Sequence, residues 1–247
     1  MITVYTCITG NYDNLIEQPT FDDVKYICFS DNATLNIYKN WSIVPINLPS
    51  LTQPNLVNRY FKTSAYDLNL DNQYSLYIDG NVLLTQDPKM LLPHFINEKN
   101  SIAAFKHPVR TSVKEEMQEL VSTKKLIDEE VIKADTFLNN IDEEGFDFTS
   151  QLTAGYILLR RHNDINLIHA MQEWLKIIVD TCKRDQLSLQ YVLWKHNLKI
   201  SYLDDFCEPD SFFKRINHGL YISWMPLAPQ DFIKKILSKF KSVLFMK

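Results

Sequence analysis

Glycine is scarce in this chain: Gly10, Gly80, Gly145, Gly155 and Gly219 are the only five in 247 residues. No two stand close enough for a G-x-G-x-x-G turn or a P-loop, which argues against a Rossmann dinucleotide fingerprint and a Walker phosphate cradle. Any bound nucleotide must be held another way. Cysteine is sparse as well, and Cys7, Cys28, Cys182 and Cys207 form no C-x-x-C pair. Cys7 and Cys28 sit inside apolar runs, so the thiols read as buried small hydrophobes in a reducing compartment, not as disulfides or zinc ligands. The first residues lack a basic segment followed by an apolar one, and no run approaches the roughly 18 apolar residues of a spanning helix. The expectation is a cytoplasmic protein, or one that lies on a membrane without crossing it. A basic excess is also missing: 26 Lys and Arg against 30 Asp and Glu give a net charge of −4. That speaks against nucleic acid as a partner.

What is present is a globular composition, 45% apolar and 23% charged, long enough for a sizeable core. Short, nearly continuous apolar runs read as strands covered on both faces: Ile2–Thr9, Lys25–Ser30, Trp41–Ile46, Ser75–Ile78, Ile102–Phe105 and Tyr156–Leu159. Helical patterns lie between them, at Arg59–Leu68, Pro88–Ile96, Ser112–Ile127 and Ile165–Val179, and Ser112 with Glu115 has capping-box spacing. The acid-rich stretch Asp128–Asp147 reads as a solvated helix and loop. The alternation predicts an α/β fold with a mainly parallel central sheet flanked by helices.

Five places could carry chemistry. Tyr77-Ile78-Asp79-Gly80-Asn81 ends an apolar strand in a carboxylate, a glycine and an amide. Ligands of open α/β sheets bind at such strand tips, and oxygens two residues apart can face one hard cation. An ordinary Asp-Gly hairpin turn is the other reading. Arg184-Asp185-Gln186 precedes apolar residues at helical spacing, so Asp185 is either a ligand or a simple helix start. Leu152-Thr153-Ala154-Gly155 offers small residues for close approach, or a turn. Phe105-Lys106-His107-Pro108-Val109-Arg110 offers three cations to a phosphate or carboxylate, or a solvated loop. Asn217-His218-Gly219 carries a late histidine, a residue that is more often structural than a ligand.

Taken in order, these motifs resemble a family 8-like GT-A glycosyltransferase, and more closely the TOD/MUCI-like glycosyltransferase domain. The resemblance rests on Tyr5-Thr6-Cys7-Ile8-Thr9-Gly10-Asn11-Tyr12-Asp13, Phe29-Ser30-Asp31-Asn32, Asn58-Arg59-Tyr60-Phe61-Lys62, and Ser75 to Asn81 with Asp87-Pro88. It continues through Lys106-His107 to Glu115-Glu116 and Arg184-Asp185-Gln186-Leu187-Ser188. What it implies is a GT-A-like domain over residues 1–227 that moves a hexose from a UDP-sugar to a glycan or lipid-linked glycan acceptor, with retention, in surface polysaccharide or lipopolysaccharide synthesis. Mn²⁺ or Mg²⁺ would stabilise the leaving diphosphate as a Lewis acid, held by Asp79, Asn81 and His218. Asn81 stands where the family pattern has a second Asp, removing one charge. By the same resemblance Thr6, Gly10, Tyr12 and Asp31 hold base and ribose, while Arg59 and Lys62 suit the diphosphate. Lys106 joins the donor site, Thr153, Gly155 and Asp185 line the sugar, and Gln186 sits against the anomeric carbon. A second reading keeps the fold and the nucleotide pocket but not turnover, as a sugar-nucleotide-binding scaffold.

Residues 228–247 form a separate segment, with Lys234, Lys235, Lys239, Lys241 and Lys247 against Asp231 alone. Phe232, Ile233, Ile236, Leu237, Phe240, Val243 and Leu244 recur at helical spacing. The pattern predicts a basic amphipathic helix that attaches peripherally to an anionic membrane through residues 229–247, the alternative being a helix packed on the domain.

Overall fold

The computed structural model describes residues 1–10, 12–32, 37–46, 48, 53–70 and 72–216. The buried runs form an eight-stranded sheet. Its strands are β1 (Ile2–Ile8), β2 (Val24–Ser30), β3 (Ile37–Tyr38), β4 (Trp41–Pro45), β5 (Ser75–Ile78), β7 (Ile102–Lys106), β8 (Thr153–Arg160) and β9 (Ile200–Tyr202). Their order is β3-β4-β2-β1-β5-β8-β7-β9. β1 runs parallel to β2, with Ile2 opposite Val24 and Ile8 opposite Ser30, and parallel to β5, with Thr3 opposite Ser75. β8 is antiparallel to β5 and β7, so it starts at the edge where β1, β5 and β7 end. A register shift between Ala104 and Phe105 bends this pairing near its start. A two-stranded ribbon pairs β6 (Val82–Leu84) with β10 (Phe213–Arg215).

Helices cover both faces, which explains the continuous apolar strands. On one face, α1 (Pro54–Thr63), α5 (Ile165–Asp180) and α6 (Leu189–Lys195) bury Phe61, Trp174 and Val192 against Tyr5, Tyr77 and Leu158. On the other, α2 (Leu92–Glu98), α7 (Pro209–Phe212) and the ribbon bury Phe95 and Phe212 against Val4, Ile78 and Leu159. A third cluster joins α3 (Val113–Ser122) and α4 (Asp128–Glu143) over Leu152, Cys182 and Leu187.

Three helices differ from the sequence reading, and the one expected over Pro88–Ile96 opens as a 3₁₀ turn, Pro88–Leu91, before α2 runs to Glu98. The helix expected over Ser112–Ile127 stops at Ser122, because the chain turns through a left-handed Lys124 and a new helix begins at Asp128. The helix expected from Arg59 begins five residues earlier, at Pro54, whose fixed φ suits a first turn. It ends at Thr63, and a short 3₁₀ turn, Ala65–Asp67, takes over. The Ser112 cap is as expected: its hydroxyl accepts from the Glu115 N–H at 3.2 Å, and Glu115 reaches back to the Thr111 N–H at 2.7 Å. The basic segment 228–247 lies outside the described residues.

Candidate functional site

At the carboxyl ends of β1 and β5 a cleft of about 680 Å³ opens, lined by Thr9, Gly10, Tyr12, Asp13, Asn58, Arg59, Asp79, Gly80 and, opposite, Lys125, Glu130, Lys183 and Arg184. Asp79 follows the last residue of β5, and its backbone N–H is tied to the Tyr156 carbonyl at 2.9 Å. The Tyr77 hydroxyl donates to Asp79 Oδ1 at 2.9 Å. Burial pushes the Tyr77 phenol well above its ordinary value, and the neighbouring Asp79 charge adds to this, so the hydroxyl stays a donor.

Asp185, 106 residues further along the chain, lies behind the cleft lining, against Arg59 and Lys62. It is 6% exposed. Lys62 Nζ stands 2.5 Å from Asp185 Oδ2 and 3.7 Å from Asp79 Oδ1, and Arg59 Nη2 stands 3.4 Å from Asp185 Oδ1. Burial alone would raise the Asp185 pKa, but Arg59 and Lys62 outweigh it and hold the carboxyl well below the usual carboxylate range. Asp185 is therefore an anion clamped by two cations. The Trp174 indole N–H donates to the Asp185 carbonyl at 3.0 Å, which fixes the turn that carries it. Gly155 makes room: a Cβ there would lie 2.8 Å from Asp185 Oδ2 and 3.0 Å from Lys62 Nζ.

Four motifs distant in sequence thus converge, with Arg59 and Lys62 from α1, Asp79 from β5, Gly155 from β8 and Asp185 after α5. Gly10 and Tyr12 line the cleft mouth, and Asp31 reaches it by accepting the Gly10 N–H at 2.8 Å. Gly10 has φ +62, and a Cβ there would press on Pro54 at 3.1 Å. Gln186 donates to the Thr153 carbonyl at 3.2 Å, beside the Asp185 pocket. Other candidates are placed elsewhere. Thr6 is fully buried inside β1, and the Thr153 side chain is buried too. Lys106 turns to Asp205 at 3.0 Å, and its own N–H goes to Asp204 at 2.7 Å. The loop after it closes on itself. His107 Nδ1 accepts the Arg110 N–H at 2.8 Å, and Arg110 pairs with Glu116. Burial first, then Arg110 and Arg215, lower the His107 pKa to about 4. A second groove, about 710 Å³, lies between α4 and α5 and touches none of these residues.

Asn81 is 5% exposed and donates its amide N–H to the Ile216 carbonyl at 3.0 Å. The Ile216 N–H returns a bond to the Asn81 carbonyl at 2.8 Å. Its amide nitrogen is thus tied to the chain at Ile216, and Asn81 is not among the residues that line the cleft. A carboxylate and an amide oxygen two residues apart fit part of a hard-cation shell. Among the described residues no three His, Cys, Asp or Glu side chains gather as a metal site. His218 lies outside the described residues.

A family model, the TOD1/MUCI70 glycosyltransferase-like domain, matches residues 1–218. The chain belongs to this family. The TOD1/MUCI70 match takes in all the converging motifs and stops at the late histidine. Among solved structures, the chain is similar to the apo WbbM bifunctional glycosyltransferase at 12% identity and TM-score 0.48, covering 82% of this chain and 38% of that one. It is also similar to the galactosyltransferase LgtC in complex with donor and acceptor sugar analogues, at 15% identity and TM-score 0.43, covering 82% and 73%. Mouse xyloside xylosyltransferase 1 matches at 7% identity and TM-score 0.45, covering 82% and 84%. No curated protein matches the chain.

The motifs name Asn58 without a role and pass over Lys125 and Lys183. Asn58 spans from α1 to β1, donating to the Cys7 carbonyl at 2.8 Å and accepting from Arg59 at 2.8 Å. Lys125 and Lys183 line the far wall. Lys125 falls in the helix expected over Ser112–Ile127 and Lys183 reads as a solvated loop lysine, so nothing in their local pattern marks them.

Proposed function

We propose that the protein is a sugar-nucleotide-dependent glycosyltransferase that moves a hexose from UDP to a glycan acceptor. The observation that carries this is the cationic clamp on Asp185: a buried carboxylate that Arg59 and Lys62 hold ionised, beside Gly155 and directly behind the Arg59 that lines the cleft. Such a carboxylate accepts hydrogen bonds from sugar hydroxyls and fixes the ring. Gly10 and Tyr12, with Asp31 behind Gly10, would receive the base and ribose, and Arg59, which lines the same cleft and touches Asp185, would meet the diphosphate. In the transfer the bond from the anomeric carbon to the β-phosphate oxygen breaks, leaving its electron pair on UDP. The acceptor oxygen forms the new bond, and its proton goes to the released phosphate. Gln186 beside the sugar pocket suits retention of configuration. Asp79, the Asn81 amide oxygen and His218 would hold Mn²⁺ or Mg²⁺, which when bound supplies positive charge to the leaving diphosphate. The acceptor is a glycan or lipid-linked glycan of surface polysaccharide or lipopolysaccharide synthesis, met at the cytoplasmic face of a membrane to which residues 229–247 attach.

The test is thermal melting with UDP, with and without Mn²⁺, followed by UDP release from a panel of UDP-sugars. At about a hundred times its Kd, UDP should add about 2.7 kcal/mol, a rise of roughly 5–10 °C. No UDP stabilisation under either condition sinks the proposal. Binding without release under any acceptor favours the scaffold reading, to which the missing charge at Asn81 gives its support.

A further inference from the structure

Arg160 ends β8 fully buried, and among the described residues no carboxylate pairs with it. A buried charge of that kind costs several kcal/mol unless its hydrogen bonds compensate. Here most of them run to the end of α1, while Nη1 also contacts Met171 Sδ on α5 at 3.8 Å and Nε makes no hydrogen bond among the described residues. Nη1 donates to the Lys62 carbonyl at 2.6 Å and contacts the Thr63 carbonyl at 3.5 Å. Nη2 contacts the Tyr5 hydroxyl, which donates in turn to the Phe61 carbonyl at 3.2 Å. The guanidinium also lies 5.9 Å from the Tyr5 ring centroid. Phe61, Lys62 and Thr63 form the last turn of α1, where unpaired carbonyls and the helix dipole present negative charge. The same turn bears the clamp. Lys62 is held by its carbonyl to Arg160, while its ammonium, 2% exposed, reaches Asp185. Arg59 stands one turn earlier on α1, against the other oxygen of Asp185.

We propose that Arg160, with Tyr5, is a positioning residue that docks the end of α1 on the sheet so that Lys62 and Arg59 hold Asp185 in its reactive place. Its effect on turnover rests on the glycosyltransferase reading; its effect on α1 does not. If the guanidinium served stability alone, an apolar side chain of similar volume would replace it at little cost, as buried ionic groups often allow. If it positions the clamp, that replacement leaves a folded protein with a displaced Lys62, and a misplacement near 1 Å costs on the order of a hundredfold in rate.

The experiment compares the full chain with Arg160→Met and Arg160→Lys, and with Leu91→Ala as a destabilised control on the opposite face of the sheet. Hydrogen exchange of residues 59–64, UDP affinity and the rate of UDP release from UDP-sugars are measured well below each melting point. Arg160→Met should speed exchange in residues 59–64 more than tenfold, keep the UDP Kd within threefold and lower kcat about a hundredfold. Arg160→Lys reaches fewer carbonyls with one ammonium, so it should recover stability and only part of kcat. It also answers the question if the Met variant does not fold. Leu91→Ala should lose stability with no change in kcat or in α1 exchange. Wild-type exchange at residues 59–64 in both Arg160 variants would overturn the docking. So would a kcat loss in Leu91→Ala equal to that in Arg160→Met. Absence of release from any donor by the unaltered chain would instead count against the glycosyltransferase reading, with the exchange result still deciding the clamp.

Discussion

Gly155→Ala isolates the clamp with the smallest possible change. The backbone at Gly155 is not in the left-handed region, so alanine is conformationally allowed and its effect is crowding alone. The new methyl would start 2.8 Å from Asp185 Oδ2 and 3.0 Å from Lys62 Nζ. An ordinary carbon–oxygen approach is about 3.3–3.6 Å, so the pair must retreat by roughly 0.5 Å. Retreat is hard, because Asp185 is held at 3.0 Å through its carbonyl by Trp174 and at 3.4 Å by Arg59. Overpacking of this kind costs about 1–3 kcal/mol, and the lost glycine entropy returns about 0.4–1 kcal/mol. The net is about 1–2 kcal/mol, a fall in Tm of about 2–8 °C. Turnover should suffer more, by about ten- to a hundredfold, since the crowded atoms are those that would orient the sugar. The assay is UDP release beside a thermal melt, run as a double-mutant cycle with Asp185→Ala. Because the tighter clash is with the Asp185 oxygen, and the Lys62 ammonium is the free end of a flexible side chain once that carboxylate is gone, Gly155→Ala should then add little to the kcat loss. Additive losses, or wild-type kcat in Gly155→Ala, would refute the reasoning.

Asp79→Ala should abolish cation-dependent release while the protein stays folded, and near-normal release in Mn²⁺ would remove Asp79 from the donor site. Asp185→Asn should cut kcat by at least a hundredfold with UDP still bound; an equal loss of UDP affinity would move Asp185 to another role. His162 is 4% exposed, and burial with the nearby Arg160 charge lowers its pKa to about 4. The unfolded chain therefore takes up the proton first as pH falls below about 6.5, and by pH 5 this removes about 2 kcal/mol of stability. Urea midpoints at pH 7 and 5 should show that loss in the wild type and a smaller one in His162→Leu. Residues 229–247 should carry the full chain onto anionic vesicles at low salt; a chain ending at Pro229 that co-sediments equally well would end the membrane reading.

The strands were legible in the sequence because burial on both faces leaves an unbroken apolar signature. Ser75–Ile78 is met at both ends, and Ile102–Phe105 runs one residue further, to Lys106. The false continuation of the helix past Ser122 has a simple cause: Lys124 and Lys125 carry high helix propensity, and only the tertiary turn that brings Lys125 to the cleft wall overrides it. Motif order found Asp79, Lys62, Gly155 and Asp185, but the partnership among them was not readable. The family resemblance assigns Lys62 to the diphosphate. In the folded chain it is 2% exposed and faces two carboxylates.

That inversion follows from where charge can go in a buried site. Asp185 cannot remain ionised at 6% exposure by itself, because removal from water would favour its neutral form. The Lys62 ammonium beside it is 2% exposed as well. Each makes the other's charge tolerable, and the pair persists only where geometry is tight enough to repay desolvation. The tightness comes from elements that share no local sequence: a glycine in β8, an indole in α5 and a buried guanidinium under the end of α1. Sequence spacing can nominate ionisable residues one motif at a time. Whether a lysine meets substrate phosphate or a protein carboxylate is decided by the helix that aims it, and that helix is aimed from beneath by Arg160, which lies in no recognised motif.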